Sequence, residues 1–372
     1  MRVGIDCRLP YYQMGGISQY ILQLLLALAE LDNENEYLIF HSRKDGRSHL
    51  PPAAQNFRRI DLWTPCHHRL ERWALSAELL PHKVDIFHSP DFIPPQRGGK
   101  QQIITVHDLN FIYYPEFLTA DSRRYYSGQI EWAVQRADHI SADSRHTRQD
   151  LIERLNVPAQ KVTAVHLAAN PVYTQTQPEE AVRETLAAFN LPAGFLLFVG
   201  TLEPRKNIPL LLDAYRLLRQ EGVTDLPLVL VGRKGWLYDE IFERIGQLGL
   251  KEQVRQLSGV DDERLTHLYS AASLLALPSF YEGFGLPPLE AMHCGCPVIV
   301  SNGGSLPEIV EQAGIILPPD NAEAWAEAMA QVLTDGARRE AMRTAGFEQA
   351  KKFNWQTAAA QTLQIYRNVH VT

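Results

Sequence analysis

The chain has 372 residues, enough for two domains that each bury a core. Hydrophobic residues make up 45% and charged residues 21%, the balance of a soluble globular protein. The net charge of −7 argues against a nucleic-acid footprint, and no apolar run approaches the roughly 18 residues of a membrane span.

The opening Met1–Arg8 reads as a strand rather than a secretory signal. Cys7, Cys66, Cys294 and Cys296 are sparse and irregularly spaced. Cys294-Gly295-Cys296 lacks zinc-knuckle spacing, so the expectation is reduced, buried thiols in a cytoplasmic protein. Strands and helices alternate throughout, which predicts an α/β fold with parallel sheets. Residues 3–7 form a short strand, followed by Gly15-Gly16 and a helix over 18–31 with Ser18 as N-cap. A strand, Gly-Gly turn and helix start can offer amides to a phosphate, yet the spacing is not GxGxxG and also fits a plain turn.

Residues 37–40 and 57–62 read as strands. Residues 69–80 read as an amphipathic helix whose face Arg69, Arg72, Trp73 is either solvated or set against an anionic or lipid acceptor. Buried strands over 84–88 and 103–106 run into Ser89-Pro90-Asp91 and His107-Asp108. Open α/β sheets bind ligands at the carboxyl ends of strands, which singles out His88 and His107. Helices over 122–135 and 144–155 and strands over 139–142 and 161–165 complete this half, and the polar, Pro-containing Asn170–Glu180 reads as a linker.

A second alternating set follows. A strand over 195–199 ends in Gly200-Thr201-Leu202-Glu203-Pro204-Arg205-Lys206-Asn207, with Pro209 in the first turn of a helix to Leu218. A guanidinium beside an ammonium at a strand end suits a diphosphate. Strands over 228–231, 254–257, 274–277 and 298–300 lead into Gly232-Arg233-Lys234-Gly235, Gly259-Val260, a long loop, and Asn302-Gly303-Gly304-Ser305. From Ala322 the chain reads as helices over 322–333, 337–352 and 355–368, broken at Phe353-Asn354.

The stretch Leu277–Val300 organises the rest. Gly283 and Gly285 permit turns and close ligand approach, and Pro287-Pro288 fit only the first turn of a helix. That helix start makes an anion site, framed by Glu282 in the loop and Glu290 about one turn in. A carboxylate beside a phosphate cradle is better suited to sugar or ribose hydroxyls than to phosphate.

Glu282-Gly-Phe-Gly-Leu-Pro-Pro-Leu-Glu290 and Gly200-Thr-Leu-Glu-Pro-Arg205-Lys206-Asn207 resemble the two signature motifs of the retaining glycosyltransferases of family 4, and the resemblance runs over essentially the whole chain. Gly15-Gly16-Ile17, His107-Asp108 and Gly303-Gly304 are matching accessories. The resemblance implies the GT-B architecture: two Rossmann-like parallel-sheet domains facing a central cleft. They would span 1–172, on the acceptor side, and 173–354, binding the nucleotide sugar, with a C-terminal helix over 355–372 packing back on the first. It implies that Arg205 and Lys206 hold the diphosphate and stabilise it on departure, that Glu282 faces the donor sugar, and that Glu290 faces the ribose. Amides of Phe284, Gly285 and Leu286 would join the phosphate cradle, and Val260 would border the base. Gly15, Gly16 and His107 would close the site from the first domain, with His107 counted among the catalytic residues. Thr201 stands in the nucleotide-sugar site where many members carry arginine, so neutralisation rests more on Arg205 and Lys206.

No cofactor and no metal is implied, because cations and amides can stabilise the leaving group and no Asp-x-Asp or His/carboxylate cluster of metal spacing occurs. Similarity to bacterial polysaccharide mannosyltransferases points to GDP-mannose, with UDP-glucose, UDP-GlcNAc or dTDP-rhamnose as alternatives and a nucleotide-sugar 2-epimerase as a rival of the same scaffold. The implied partners are a nucleotide-sugar donor and a glycan or lipid-linked acceptor, not nucleic acid. The implied location is the cytoplasm, with peripheral contact at the inner membrane face left open. Replacing Glu282 or Lys206 by Ala is expected to abolish turnover with the fold intact.

Overall fold

The structure, a computed structural model, describes every residue except Gln13, Met14, Ala53, Arg69, Thr119, Gln175, Thr176 and Thr372. The chain forms two compact units. The first comprises Met1–Ile112, Ala120–Ala168 and Asn354–Thr372, and the second Tyr113–Thr119 and Ala169–Phe353.

The first unit is built on a seven-stranded parallel sheet. Its strands are β1 (Arg2–Asp6), β2 (Glu36–Ser42), β3 (Phe57–Leu62), β4 (Val84–Ser89), β5 (Gly99–Val106), β6 (His139–Ala142) and β7 (Val162–Ala164). Their order is β3-β2-β1-β4-β5-β6-β7, with Val3 paired to Tyr37 on one side and Ile86 on the other. The second unit has β8 (Leu196–Val199), β9 (Leu228–Val231), β10 (Val254–Leu257), β11 (Leu274–Leu277), β12 (Val298–Ser301) and β13 (Ile315–Leu317), ordered β10-β9-β8-β11-β12-β13 and again parallel. Parallel strands covered on both faces read as unbroken apolar runs, and LLFV, LVLV and LLAL are buried at every position. In each sheet the strand order reverses once, between β1 and β4 and between β8 and β11. Loops leaving the carboxyl ends diverge at such a reversal and open a crevice for a ligand.

The C-terminal helix Trp355–Val371 belongs to the first unit and packs against the helix Gly16–Leu31, burying Ala359, Leu363 and Tyr366. It starts just after Phe353-Asn354, where Asn354 accepts from the Thr357 amide at 2.8 Å.

Several local expectations are corrected. Ser18 is not an N-cap: the helix begins at Gly16 with Gly15 in extended backbone before it, and Ser18 is buried inside the first turn. Asn170–Glu180 is not a free linker. Pro171–Thr174 is a 3-10 turn whose Tyr173 is buried edge-on to Tyr269 at 5.9 Å, and a helix starts at Glu179; Gln175 and Thr176 lie outside the described residues. The helix expected over 69–80 spans Glu71–Leu79, and Arg69 lies outside the described residues. Helices Glu179–Ala188, Asp239–Gln247 and Asp262–Ala271 and strand β13 are additional to the sequence reading. All four cysteines are free thiols.

Candidate functional site

The loops leaving β8 and β11 meet where the second sheet reverses. Beyond β8, Gly200 turns the chain at φ 154°, and Pro204–Lys206 make a 3-10 turn. Asn207 takes a left-handed φ of 51°, and the helix Ile208–Gln220 begins. This geometry projects Arg205 and Lys206 onto the β11 loop. Lys206 Nζ donates to Glu282 Oε1 at 2.6 Å, and Ser279 Oγ donates to the same oxygen at 2.5 Å. Arg205 Nη1 donates to Glu282 Oε2 at 3.0 Å and to the Tyr281 carbonyl at 2.6 Å. The rest of the guanidinium is held by Glu203 Oε1, at 2.9 Å from Nη2 and 3.2 Å from Nε.

Lys206 and Glu282 are each only 6% exposed. Burial pushes the Glu282 carboxyl up, but Lys206 and then Arg205 outweigh it and hold the group at about 2. Two cations and two carboxylates thus form one balanced, buried network. Any anion reaching these cations would have to compete with Glu203 and Glu282 for them. Glu203, which had no role in the sequence reading, is therefore part of the site. The signal for it was a carboxylate two residues before the arginine on the same turn. The network also revises the alanine expectation: removing Glu282 leaves Lys206 buried without its carboxylate, which destabilises the fold as well as the site.

Glycines hold these loops backbone to backbone. A Cβ at Gly232 would lie 1.9 Å from the Gly200 carbonyl oxygen, and the two turns are tied by Leu202 N to Arg233 O and Gly235 N to Leu202 O, both at 2.9 Å. At Gly304, where φ is 66°, a Cβ would lie 2.2 Å from the Glu282 carbonyl oxygen. Ser305 then donates its amide to that carbonyl at 2.9 Å, and its Oγ sits 2.6 Å from the Phe284 carbonyl. Gly303-Gly304 therefore make room for the Glu282 loop.

Gly285, at φ 107°, opens the helix Leu286–His293, with Pro287 and Pro288 in the first turn. Phe284 is buried edge-on to Phe353 at 5.8 Å. Glu290 belongs to a second group on the same helix, where Tyr269 Oη donates to its Oε2 at 2.9 Å. Burial pushes the Glu290 carboxyl up to about 7; the Tyr269 hydrogen bond opposes this and the charge of Asp262 adds to it. Tyr173 Oη donates to Asp262 at 3.2 Å alongside. Val260 is half-buried in the turn before the helix Asp262–Ala271, whose N-cap Asp261 accepts from Arg264 N at 2.8 Å. Thr201 is half-buried against Gly235.

In the first unit, His107 follows β5. Its Nδ1 is 2.7 Å from Asp143 Oδ2 and its Nε2 2.8 Å from the Pro90 carbonyl, with Tyr20 edge-on at 5.2 Å. Burial pushes the imidazolium down, yet Asp143 prevails and raises it to about 9. Both ring nitrogens face acceptors, an arrangement that favours the imidazolium and fixes the ring's orientation. His88 is fully buried between Tyr366 Oη at 2.7 Å and Thr105 Oγ1 at 2.8 Å. Burial, with the charge of His107, pushes it down to about 3. It ties β4 to the C-terminal helix. Gly15 precedes the helix Gly16–Leu31 and accepts from Gln19 N at 2.9 Å. Among the described residues no group of three or more His, Cys, Asp or Glu side chains is arranged to hold a metal ion.

Comparison with known proteins agrees with the motifs. The family described as Glycosyltransferase Family 4 matches residues 14–173, and that described as Glycosyl transferases group 1 matches residues 187–349. The O-antigen chain mannosyltransferase B of Escherichia coli is 34% identical over 96% of this chain and 97% of its own. The serotype-specific mannosyltransferase WbdA of Escherichia coli is 31% identical over 72% of this chain, which spans 33% of that longer protein. Among solved structures, a sucrose-phosphate synthase from Thermosynechococcus elongatus matches with a TM-score of 0.78 at 24% identity, over 100% of this chain and 99% of the other. WaaG, a glycosyltransferase involved in lipopolysaccharide biosynthesis, matches with a TM-score of 0.76 at 16% identity, over 98% and 99%. These last two speak for the fold alone. With the E. coli relative aligned end to end and both halves covered by glycosyltransferase families, the chain belongs to the family 4 glycosyltransferases, an enzyme of GT-B architecture with two Rossmann-like parallel-sheet domains.

Proposed function

We propose that the enzyme transfers a mannosyl unit from GDP-mannose, with retention of configuration, to a glycan or lipid-linked acceptor in surface polysaccharide synthesis. The observation that carries this reading is the buried Arg205–Lys206–Glu282 network at the reversal of the second sheet. The choice of mannose leans on the likeness to O-antigen chain mannosyltransferase B.

In this reading the donor diphosphate draws Arg205 and Lys206 away from Glu203 and Glu282. Glu282, ionised and released from part of its pairing, then accepts hydroxyl hydrogens of the transferred sugar. Amides of Phe284, Gly285 and Leu286 and the helix dipole add to the phosphate cradle. Glu290 accepts from the ribose, Val260 borders the base, and Thr201 lines the site without adding charge. As the glycosidic C–O bond breaks, charge builds on the departing diphosphate, and Arg205 and Lys206 stabilise it without a metal. The departing phosphate takes the acceptor proton on the face where the new bond forms.

Melting curves with GDP, UDP, dTDP and their sugars test the assignment, since a ligand that binds only the folded state raises the melting temperature. Stabilisation by GDP and GDP-mannose is expected. Stabilisation by none of them overturns the site, and stabilisation by uridine or thymidine compounds alone overturns the donor.

A further inference from the structure

The loop that carries Glu282 is held by contacts that the donor chemistry does not use. Tyr113–Thr119 lies between two stretches of the first unit in sequence, yet it belongs to the compact second unit. Its aromatic residues pack on Phe280 and Tyr281, the two residues before Glu282. Tyr113 stacks on the buried Tyr281 with ring centroids 5.4 Å apart. Tyr114 and Phe117 stack on each other at 5.4 Å, and both lie against Phe280, at 6.0 and 5.7 Å. Tyr114 Oη also reaches the Phe280 carbonyl at 3.4 Å.

The segment is anchored in turn by the loop after β9. Trp236, 38% exposed, donates its indole N–H to the Phe117 carbonyl. Leu237 beside it holds φ at 54°, a left-handed backbone that a bulky residue seldom adopts and that persists only where surrounding contacts impose it. Lys234 Nζ, in the same loop, lies over the rings of Tyr238 and Phe242 at 4.9 and 4.8 Å. The contacts therefore run without a break from the β9 loop through the segment to the residue before Glu282. The Glu282 loop is also held by Arg205, which donates to Glu282 and the Tyr281 carbonyl, and by Lys206, which donates to Glu282. In the proposed function these two cations turn to the diphosphate. The aromatic packing has no part in that exchange.

We infer that Tyr113, Tyr114, Phe117 and Trp236 are positioning residues of the donor site. They hold the Phe280-Tyr281 turn, and through it the aim of Glu282, once Arg205 and Lys206 engage an anion. Packing between rings does not depend on where those charges go, whereas a charge-assisted bond to Tyr281 or Glu282 lapses when the cation turns away. A carboxylate that meets a sugar hydroxyl must keep its place to about 0.5 Å, which a loop tied only by exchanging ion pairs would not ensure. The effect on donor binding rests on the proposed role of Glu282 on the transferred sugar, while the support of the loop does not.

Two measurements on the full chain test this, one without ligand and one with GDP and GDP-mannose. In hydrogen exchange without ligand, Tyr113→Ala should speed exchange of the amides of residues 280–285 by about tenfold or more, while the helix Asp262–Ala271 exchanges as in wild type. Tyr113→Phe, which keeps the stacked ring, should restore the wild-type rate. Trp236→Phe, which keeps a ring and removes the N–H, should give an intermediate one. In calorimetric titration, Tyr113→Ala should lose the preference for GDP-mannose over GDP by about tenfold, with GDP itself bound within about twofold of wild type. Tyr113→Phe should recover the preference. Unchanged exchange of residues 280–285 in Tyr113→Ala overturns the inference whatever the donor, and so does faster exchange with the wild-type preference intact. Faster exchange in a protein whose wild type binds neither GDP nor GDP-mannose supports the aromatic hold on the loop and overturns the proposed donor instead.

Discussion

The two units share one architecture and use their reversal points differently. In the second, between β8 and β11, cations and carboxylates are held by loops that touch through bare backbone, with glycines where a Cβ would strike a carbonyl oxygen. In the first, between β1 and β4, the equivalent place is occupied by Arg8, 1% exposed, which donates to Asp6 at 2.6 and 2.9 Å, to Glu71 at 2.6 Å and to the Thr64 carbonyl at 2.8 Å. Both clusters are held by side-chain bonds, but only that of the second unit is framed by turns packed through glycine backbone. The same fold thus places the proposed donor site at one reversal and a tightly paired arginine at the other.

Breaking the Arg8 pairing should have the largest effect on stability. Arg8→Met leaves Asp6 and Glu71 without their cation and should cost about 3–5 kcal/mol, measured by denaturant unfolding. The GDP affinity of the folded protein should not change, and a changed affinity would break the division of roles. Gly304→Ala comes next. With φ at 66° and the Glu282 oxygen 2.2 Å away, it should cost at least about 2 kcal/mol and abolish GDP-induced stabilisation. Gly4→Ala in β1, whose Cβ would meet the movable ring of Phe40 at 2.7 Å, should cost less and leave GDP binding unchanged.

Two pH effects follow at smaller scale. His107 is raised in the fold to about 9 from an ordinary value of 6.5, so its ion pair with Asp143 contributes fully below about 6.5. That contribution is lost as pH rises through 9, and Asp143→Asn should remove this part of the melting-temperature profile. Glu290 is raised to about 7 from 4.5, so its ionisation costs stability progressively between these values and fully above 7. Glu290→Gln should therefore melt a few degrees above wild type at pH 8 and draw level with it only below about pH 4.

Much of the second unit is legible in the sequence because its constraints are local. Gly285 before Pro287-Pro288 announces a helix start, and the Gly200–Asn207 loop carries its cations on a single turn. The continuous apolar strands are equally plain. What the sequence hides are pairings made across distance. His107 looks like a free strand-end histidine until Asp143, 36 residues on, occupies it. His88 looks equivalent until Tyr366 of the last helix buries it. The helix Asp239–Gln247 had a readable sign in Ile241 and Ile245, one turn apart and both buried, whereas β13 is a three-residue edge strand with too few positions to show a period.

The account rests on a split of labour, with Arg205 and Lys206 on the diphosphate and Glu282 on the sugar. Calorimetric titration of Glu282→Gln with GDP and with GDP-mannose tests that split. The isosteric amide preserves a partner for Lys206, so GDP should bind within a few-fold of wild type while the added affinity for GDP-mannose and the turnover are lost. A variant that keeps the wild-type preference for GDP-mannose over GDP, or its turnover, contradicts the account.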